Sequence, residues 1–145
     1  MTDGPLLGFD YGTRRIGVAA GNLQTRTAQG IATLRSGRDG PDWHQLDRLV
    51  SDWQPRAMVV GLPQLADGQE AALAAAVRRF GARLGARYNL PVRYVDERLS
   101  TAEARRRLRE AGATGNRLRG ARDTFAAELI LQSVLEETTR VTGRE

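Results

Sequence analysis

The sequence predicts an α/β domain with a five-stranded mixed sheet, three antiparallel strands followed by parallel crossovers, and helices on both faces. Two observations lead to this prediction. In the first third of the chain, three apolar runs follow one another through short links, which indicates an antiparallel meander. In the second half, apolar runs alternate with longer segments of helical periodicity, which implies parallel crossover connections. No linker, repeat or low-complexity tract interrupts residues 1–145, so we expect a single domain.

The predicted strands are short apolar runs bounded by glycine, proline or polar residues. The fourth run is apolar throughout, which is typical of a strand that is buried on both faces. In chain order, the five runs are Leu6–Asp10, Ile16–Ala20, Gly30–Leu34, Ala57–Gly61 and Val92–Val95.

Four helices are predicted around these strands. The first contains Trp43 and Trp53 at helical spacing, so we expect both in the core, whereas His44, the single histidine, is expected at the surface or in a cap. Ser100 and Glu103 have the spacing of a capping box, which predicts the start of the third helix. A loop rich in glycine and arginine precedes the last helix. The predicted helices run from Pro41 to Trp53, Asp67 to Tyr88, Ser100 to Gly112 and Asp123 to Thr139.

The charge balance favours a nucleic-acid partner. All 22 basic residues are arginine, and the net charge is +5 with a pI of about 10.8. Arginine presents a planar fork of donors that suits phosphate oxygens, and a pI this high is typical of nucleic-acid-binding domains. The base composition of the coding DNA explains the preference for arginine over lysine equally well, but it does not explain the positive net charge.

The composition also excludes several classes of protein. The content of 41% hydrophobic and 27% charged residues is typical of a soluble globular domain. The absence of cysteine excludes disulfides and thiolate zinc sites. The longest apolar stretches, such as Ala71–Val77, are far shorter than the ~20 residues that a membrane span needs. The first residues lack the basic and apolar pattern of a secretory signal, so we expect a cytoplasmic protein with no membrane partner.

Acidic residues stand where three predicted elements begin or end. Asp10 ends the first strand, Asp96 and Glu97 follow the fifth, and Asp123 opens the last helix. Ala126, Ala127, Ile130 and Val134 share the helix face of Asp123 and form an apolar stripe that should lie on the sheet. If the first and fifth strands are neighbours, three carboxylates converge on one small volume.

Clustered carboxylates repel one another unless a cation lies between them or one of them is protonated. Oxygen ligands suit Mg²⁺ or Mn²⁺, and two such ions ~4 Å apart can hold the attacking and leaving oxygens of a phosphodiester displacement. We expect Asp10 to bridge two ions and the other carboxylates to hold mainly one each. Because neighbouring strand residues point to opposite faces, only one of Asp96 and Glu97 is expected to take part, and periodicity does not decide which.

Each acidic residue also has a structural interpretation when it is considered alone. An aspartate two residues before a glycine, such as Asp10, is often a turn residue. An aspartate at the start of a helix, such as Asp123, is favoured by the helix dipole. The functional interpretation therefore depends on the joint placement of these residues.

Four further segments of the chain form recognisable motifs: residues 7–19 (LGFDYGTRRIGVA), residues 59–63 (VVGLP) with Asp67-Gly68, residues 95–101 (VDERLST) and residues 123–131 (DTFAAELIL). In order and at family spacing, over nearly the whole chain, they closely resemble the YqgF/RuvX family of pre-16S rRNA nucleases. The resemblance implies a ribonuclease-H-like fold, shared with Holliday-junction resolvases, and a catalytic metal site at Asp10, Glu97 and Asp123. It therefore favours Glu97 over Asp96.

The chain departs from the family pattern in two places. Gly21-Asn22 stands where many members carry Ser-Asp, and Gln64–Ala66 replaces a stretch that usually contains asparagine. Neither departure affects the three carboxylates, but both concern loops that could contact the substrate.

Several arginines are candidates for phosphate binding. Arg117, Arg119 and Arg122 lie in the glycine-rich loop beside the predicted site, and we expect them to contact phosphates without reading sequence. Arg15 and Arg98 lie next to the carboxylates. They are expected either to bind the scissile phosphate or, as the somewhat favoured alternative, to hold the acidic residues in place through ion pairs.

Two other functions compete with the nuclease hypothesis. The segment from Gly8 to Thr13 also resembles the first phosphate-binding loop of actin-like ATPases and sugar kinases, but 145 residues leave no room for the second lobe of those enzymes. A non-catalytic assembly factor that binds nucleic acid is the second alternative, although an idle site has no need to hold three like charges together.

Within the nuclease hypothesis, the substrate is either precursor rRNA, cut during maturation of the 16S 5′ end in ribosome biogenesis, or branched DNA. The family resemblance favours the first, and the relatives of the fold point to the second. A homodimer would be needed to cut both strands of a junction, whereas trimming rRNA requires only one site.

Overall fold

A computed structural model gives the structure of residues 4–63, 68–96 and 124–136. These residues form six strands and three helices. The strands are β1 (Pro5–Tyr11), β2 (Arg15–Asn22), β3 (Thr27–Gly37), β4 (Gly40–Pro41), β5 (Ala57–Leu62) and β6 (Val92–Asp96). The helices are α1 (Trp43–Trp53), α2 (Gly68–Tyr88) and α3 (residues 124–136). The predicted helix from Ser100 to Gly112 lies outside the described residues.

The strands form one mixed sheet in the order β4-β3-β2-β1-β5-β6. The pairs β1–β2 and β2–β3 are antiparallel, whereas β1–β5 and β5–β6 are parallel. The predicted meander and the predicted parallel crossovers are therefore both confirmed. The sheet has six strands and not five, because the residue pair Gly40–Pro41 adds β4 at the edge of β3. A two-residue strand of glycine and proline has no alternating apolar pattern that could reveal it.

The first and last predicted strands are not neighbours, contrary to the condition set by the sequence analysis. β5 lies between β1 and β6, so two inter-strand spacings of ~4.8 Å each separate β1 from β6. The hydrophobic pattern of a strand specifies its buried faces but not its position in the sheet, and the crossover through α2 carries the chain outward from β5. A carboxylate at the end of β6 must therefore reach across β5 to approach β1.

One face of the sheet is covered by α1 and α2. Phe80 of α2 is buried at the centre of this core, where its ring lies 5.6 Å from the ring of Phe9, 5.1 Å from that of Tyr11 and 6.1 Å from that of Trp43. Trp43 thus packs against the core as predicted. Trp53 does not, because it is the last residue of α1 and is 36% exposed. His44 is exposed on α1, as expected.

The other face of the sheet is covered by α3. Ala127, Ile130 and Val134 of the predicted apolar stripe are buried there against residues of β1, β2 and β5, whereas Ala126 is only partly buried. The prediction of helices on both faces is therefore confirmed. Among the described residues, no helix combines the length and the apolarity needed to cross a lipid bilayer.

Candidate active site

Asp10 is a half-buried residue at the carboxyl end of β1. Strand alternation sets the direction of its side chain. Leu7, Phe9 and Tyr11 point into the core beneath α1 and α2, whereas Leu6 belongs to the core beneath α3. Asp10 therefore projects from the face of the sheet that α3 covers.

Glycines flank Asp10 on both neighbouring strands. In the antiparallel register with β2, Asp10 lies opposite Gly17. In the parallel register with β5, Phe9 pairs with Val60, so the next residue, Gly61, lies beside Asp10. A side chain at either glycine would stand directly next to the carboxylate. Because Gly17 and Gly61 have no side chains, neither of these neighbouring positions obstructs the approach of a cation or a phosphate to Asp10.

The helix α3 runs antiparallel to β1, with its first described turn nearest to Asp10. A Cβ placed on Gly8 would lie 3.3 Å from the carbonyl oxygen of Ala127 and 2.9 Å from the Cβ of Leu131. A Cβ placed on Gly21, which pairs with Leu6, would lie 2.9 Å from Leu131 and 3.2 Å from Leu135. Moving backwards along α3 therefore corresponds to moving forwards along β1, towards Asp10.

Two side chains of α3 bind the outer edge of β3. The backbone N–H of Gly30 donates to Oε2 of Glu128 at 2.6 Å, and that of Ala28 donates to Oε1 of Gln132 at 3.2 Å. Residues four apart on a helix are separated by ~6.0 Å and residues two apart on a strand by ~6.8 Å, so the two bonds fit together. They satisfy edge donors that would otherwise be open to another strand. They also fix the position of α3 along the direction of the strands.

A β-bulge shapes the edge at which Glu128 binds. The register between β2 and β3 shifts after Val18, which pairs with Ala32, to Ala19, which pairs with Gly30, so Ile31 is the additional residue. Glycine is needed at position 30, because a Cβ there would collide with Thr124 and would lie 2.8 Å from Oε2 of Glu128. Burial raises the pKa of Glu128 above its ordinary value, and the hydrogen bond from Gly30 opposes this rise. Glu128 was not predicted from the sequence, although Thr124, Glu128 and Gln132 recur at helical spacing beside the apolar stripe.

Asp96 projects from the opposite face of the sheet. Tyr94 packs against the core beneath α1 and α2, whereas Val95 is buried in the core beneath α3. The alternation therefore turns Asp96 towards the α2 side, away from the face of Asp10. The expectation that only one of Asp96 and Glu97 joins Asp10 stays a prediction, because Glu97 lies outside the described residues.

The structure brings Arg15 to the same end and the same face as Asp10. Ile16 pairs with Tyr11 and points into the core beneath α1 and α2, so the exposed Arg15, one residue earlier, projects from the other face. The remaining predicted site residues lie outside the described residues. They are Glu97, Arg98, Arg117, Arg119, Arg122 and Asp123. Within the described segments, no three acidic or histidine side chains converge in a way that could hold a metal ion.

The comparison with protein families and with known proteins gives a consistent result. Residues 4–137 match the family model described as "RuvX: Holliday junction resolvase". A protein of Nitrosococcus oceani named "Putative pre-16S rRNA nuclease" is 47% identical over 132 residues, which cover 91% of this chain and 86% of that protein. A protein of the same name from Pseudomonas putida is 44% identical over 135 residues, with 92% of this chain and 96% of that protein covered.

The fold is also similar to that of a solved structure of RuvC. The structure titled "T. thermophilus RuvC in complex with Holliday junction substrate" aligns with a TM-score of 0.58 at 13% sequence identity, over 92% of this chain and 94% of that chain. This similarity supports the ribonuclease-H-like fold that the sequence resemblance implied. The match to the family model over most of the chain, together with relatives above 40% identity, shows that the chain belongs to the RuvX family.

Proposed function

We propose that this protein is a metal-dependent nuclease that hydrolyses phosphodiester bonds of structured nucleic acid, with Asp10, Glu97 and Asp123 as its catalytic carboxylates. The observation that carries the proposal is the antiparallel arrangement of β1 and α3. Asp10 and the first described turn of α3 lie at one end of the sheet and on the same face. Two of the three proposed carboxylates belong to these elements or adjoin them.

The position of Ala127 supports a role for Asp123 beside Asp10. The carbonyl oxygen of Ala127 approaches Gly8, which lies two strand residues, or ~6.8 Å, before Asp10. Asp123 precedes Ala127 by four residues, a rise of ~6.0 Å in a helix. Asp123 is also bonded to Thr124, so their Cα atoms are ~3.8 Å apart. A helix extended by this one residue would bring Asp123 level with Asp10.

The alternation along β6 supports Glu97 as the third carboxylate. Val95 is on the α3 side and Asp96 is on the α2 side, so one further extended residue would return Glu97 to the face of Asp10. The register also favours this residue, because Gly61 lies beside Asp10 and pairs with Val95. A glutamate has one methylene more than an aspartate, which helps it to reach past Gly61.

The surroundings of Asp10 support a divalent metal ion as the proposed cofactor. Asp10 supplies a hard oxygen ligand of the kind that Mg²⁺ and Mn²⁺ prefer, and Gly17 and Gly61 leave space beside it. When bound, such ions stabilise the negative charge that develops on the phosphate in the transition state. The protein's own contribution is to hold Asp10 on β1 and to fix β6 and α3, which adjoin Glu97 and Asp123 in the chain, relative to β1. Arg15, on the same face, is placed to position the substrate strand or to orient a carboxylate.

The relatives favour precursor rRNA as the substrate class. The curated relatives between 41% and 47% identical carry the name of a pre-16S rRNA nuclease. We therefore propose cleavage at the 5′ end of pre-16S rRNA as the reaction, which would take place in the cytoplasm. A four-way DNA junction is the competing substrate, because the family model carries the name of a Holliday junction resolvase.

The experiment compares cleavage of a precursor rRNA fragment and of a four-way DNA junction, each with Mg²⁺, with Mn²⁺ and with a chelator. We expect cleavage of the rRNA with metal alone. Asp10→Asn should abolish cleavage, whereas Asp52→Asn, a matched change at an exposed residue of α1, should retain it. Binding without cleavage under both metals would contradict the nuclease proposal, and cleavage of the junction alone would contradict the choice of substrate. Sedimentation of the active protein would determine whether it acts as a homodimer.

A further inference from the structure

A cavity of about 240 Å³ lies on the other face of the sheet, between α2 and the turn that connects β3 to β4. Its floor contains the aromatic side chains of Tyr11 and Phe80. Arg38 from the turn, together with Arg79 and Arg83 from α2, lines its walls. One water molecule in a liquid occupies ~30 Å³, so this cavity accommodates a phosphate group with several waters.

The charged residues around the cavity are mostly basic. Three guanidinium groups face a single carboxylate, that of Asp39. No carboxylate in the described segments forms an ion pair with Arg38, Arg79 or Arg83. Arg87, one turn further along α2, differs in this respect, because it binds Asp47 at 2.7 Å. The lining therefore keeps an excess of positive charge, and the chemistry that fits it is that of an anion.

A buried indole N–H lies close to residues that line the cavity. Nε1 of Trp43 is buried without a hydrogen-bond partner in the described part of the chain. It lies near Gly40, at 3.7 Å from the position that a Cβ on this residue would occupy. Gly40 lines the cavity and has a φ of 92°, and a Cβ there would also lie 3.0 Å from Nη1 of Arg83. Trp43 does not line the cavity, but its Nε1 lies beside two residues that do, Gly40 and Arg83, so its resonance can report on binding there.

The guanidinium of Arg83 is held in place by the same tryptophan. It lies 5.0 Å from the centre of the Trp43 ring, within the range of a cation–π contact. Such stacking restrains the side chain and leaves the N–H groups at the edge of the guanidinium available to an acceptor. Arg83 is therefore preorganised for an anion.

The cavity lies at the same end of the sheet as Asp10. Tyr11, which lines the cavity, follows Asp10 in β1 and points to the opposite face. The turn between β1 and β2 connects the two faces, and the carbonyl of Arg14 in this turn accepts a hydrogen bond from the N–H of Ser36 in β3. Exposed arginines thus follow one another around this end of the sheet, from Arg15 through Arg14 to Arg38.

We propose that the cavity between α2 and the β3–β4 turn binds a backbone phosphate of the nucleic-acid substrate, away from the phosphate that is cleaved. This inference rests on the proposed function. Arg38, Arg79 and Arg83 contact the phosphate oxygens, and Trp43 holds the guanidinium of Arg83 in place. A nucleic-acid strand bound both at the cavity and at Asp10 would cross the β1–β2 turn. This path favours a bent or branched substrate over a straight duplex.

The test uses the Asp10→Asn protein, so that binding is measured without cleavage. Arg38→Gln and Arg79→Gln are combined in this background, and Arg48→Gln is the matched control, because Arg48 is exposed on α1 and does not line the cavity. Affinity for a labelled structured RNA and for a labelled four-way junction is measured at several salt concentrations. We expect the double variant to bind at least ~10-fold more weakly and the slope of log K against log salt to fall by ~1, as for the loss of one phosphate contact. For Arg48→Gln we expect less than a ~2-fold loss.

Nuclear magnetic resonance of the two tryptophan indoles identifies the site. Inorganic phosphate and the RNA should each shift the Nε1–H resonance of Trp43 and leave that of Trp53, at the other end of α1, unchanged. The shift should disappear in the double variant, whose thermal unfolding should match that of Asp10→Asn. Equal affinities and slopes for the double variant and the control would overturn the proposal. A Trp43 shift with inorganic phosphate but not with RNA would do the same and would identify a site for free phosphate.

The cleavage assay separates this inference from the proposed nuclease function. Cleavage by the wild type that is unaffected by Arg38→Gln and Arg79→Gln at limiting substrate would contradict the phosphate site alone. Absence of cleavage, combined with binding that depends on these arginines, would contradict the nuclease proposal and leave the phosphate site intact.

Discussion

Glu128 in α3 accepts a hydrogen bond of 2.6 Å from the backbone N–H of Gly30 in β3. This bond joins α3, which Asp123 directly precedes in the chain, to the edge of the sheet that carries Asp10. Gly30 lies beside the bulge in β3, and only a glycine leaves room there for Thr124 and Glu128. The position of α3 along the strands, and therefore the distance from its first described turn to Asp10, depends in part on this contact.

The first prediction concerns the acceptor at position 128. Glu128→Ala leaves the N–H of Gly30 without its partner, and we expect a loss of about 1–3 kcal/mol in the free energy of unfolding. Glu128→Gln keeps an acceptor oxygen at the same place and should lose clearly less. Urea denaturation followed by tryptophan fluorescence measures both changes. Equal losses for alanine and glutamine would show that the hydrogen bond does not stabilise the fold.

The second prediction concerns the pH dependence that Glu128 contributes. Burial raises its pKa in the folded state above the ordinary value of 4.5, so the folded protein binds more protons than the unfolded chain between these two values. The contribution of Glu128 to stability is therefore greatest at low pH and decreases as the pH rises through this interval. The stability of Glu128→Gln relative to the wild type should thus increase from about pH 4.5 upwards. Melting temperatures of the two proteins across this range test the sign, and a constant difference would contradict it.

The sequence predicted most of the strand pairing because the pattern of apolar residues and the lengths of the links specify it. Three adjacent runs with short links can pair only as a meander, and the two later runs require crossovers. The position of β6 could not be obtained in this way, because the apolar pattern of Val92–Asp96 does not indicate on which side of β5 the strand pairs. The strand β4 was missed since Gly40–Pro41 buries too little apolar surface to leave a pattern.

The sequence also predicted Asp10 as a site residue, through its joint placement with Glu97 and Asp123 and through the family resemblance, and this stays a prediction. It did not reveal the flanking glycines, since Gly17 and Gly61 become neighbours of Asp10 only through the sheet register. The arginines of the cavity were missed for the same reason. Arg38 is 41 residues from Arg79 along the chain, and only the packing of α2 against the sheet brings them together.

The third prediction concerns Gly8, on which α3 rests. A Cβ at this position would lie 2.9 Å from the Cβ of Leu131, so Gly8→Ala forces the helix away from the sheet. We expect the free energy of unfolding to fall by about 1–3 kcal/mol, with reduced cleavage because α3 moves relative to Asp10. Gly37→Ala is the control for stability, because no atom lies within 4 Å of a Cβ there, and it should gain up to about 1 kcal/mol. Equal effects of the two substitutions in urea denaturation would contradict the proposed packing.

The fourth prediction distinguishes the two adjacent acidic residues at the end of β6. Asp96 projects towards the α2 side of the sheet, opposite to Asp10, so Asp96→Asn should retain cleavage within about threefold of the wild type. Glu97→Gln removes a proposed ligand of the metal and should reduce cleavage at least ~100-fold, which corresponds to the loss of ~3 kcal/mol of transition-state stabilisation.

The two variants are compared at several concentrations of Mn²⁺, because a weakened metal site is partly restored by excess metal. We expect Glu97→Gln to require more Mn²⁺ than the wild type, and Asp96→Asn to require the same amount. The reverse pattern, with loss of activity in Asp96→Asn alone, would mean that the alternation seen up to Asp96 does not determine which carboxylate joins Asp10. It would then be necessary for the chain to turn at Asp96, so that this carboxylate and not Glu97 reaches across Gly61.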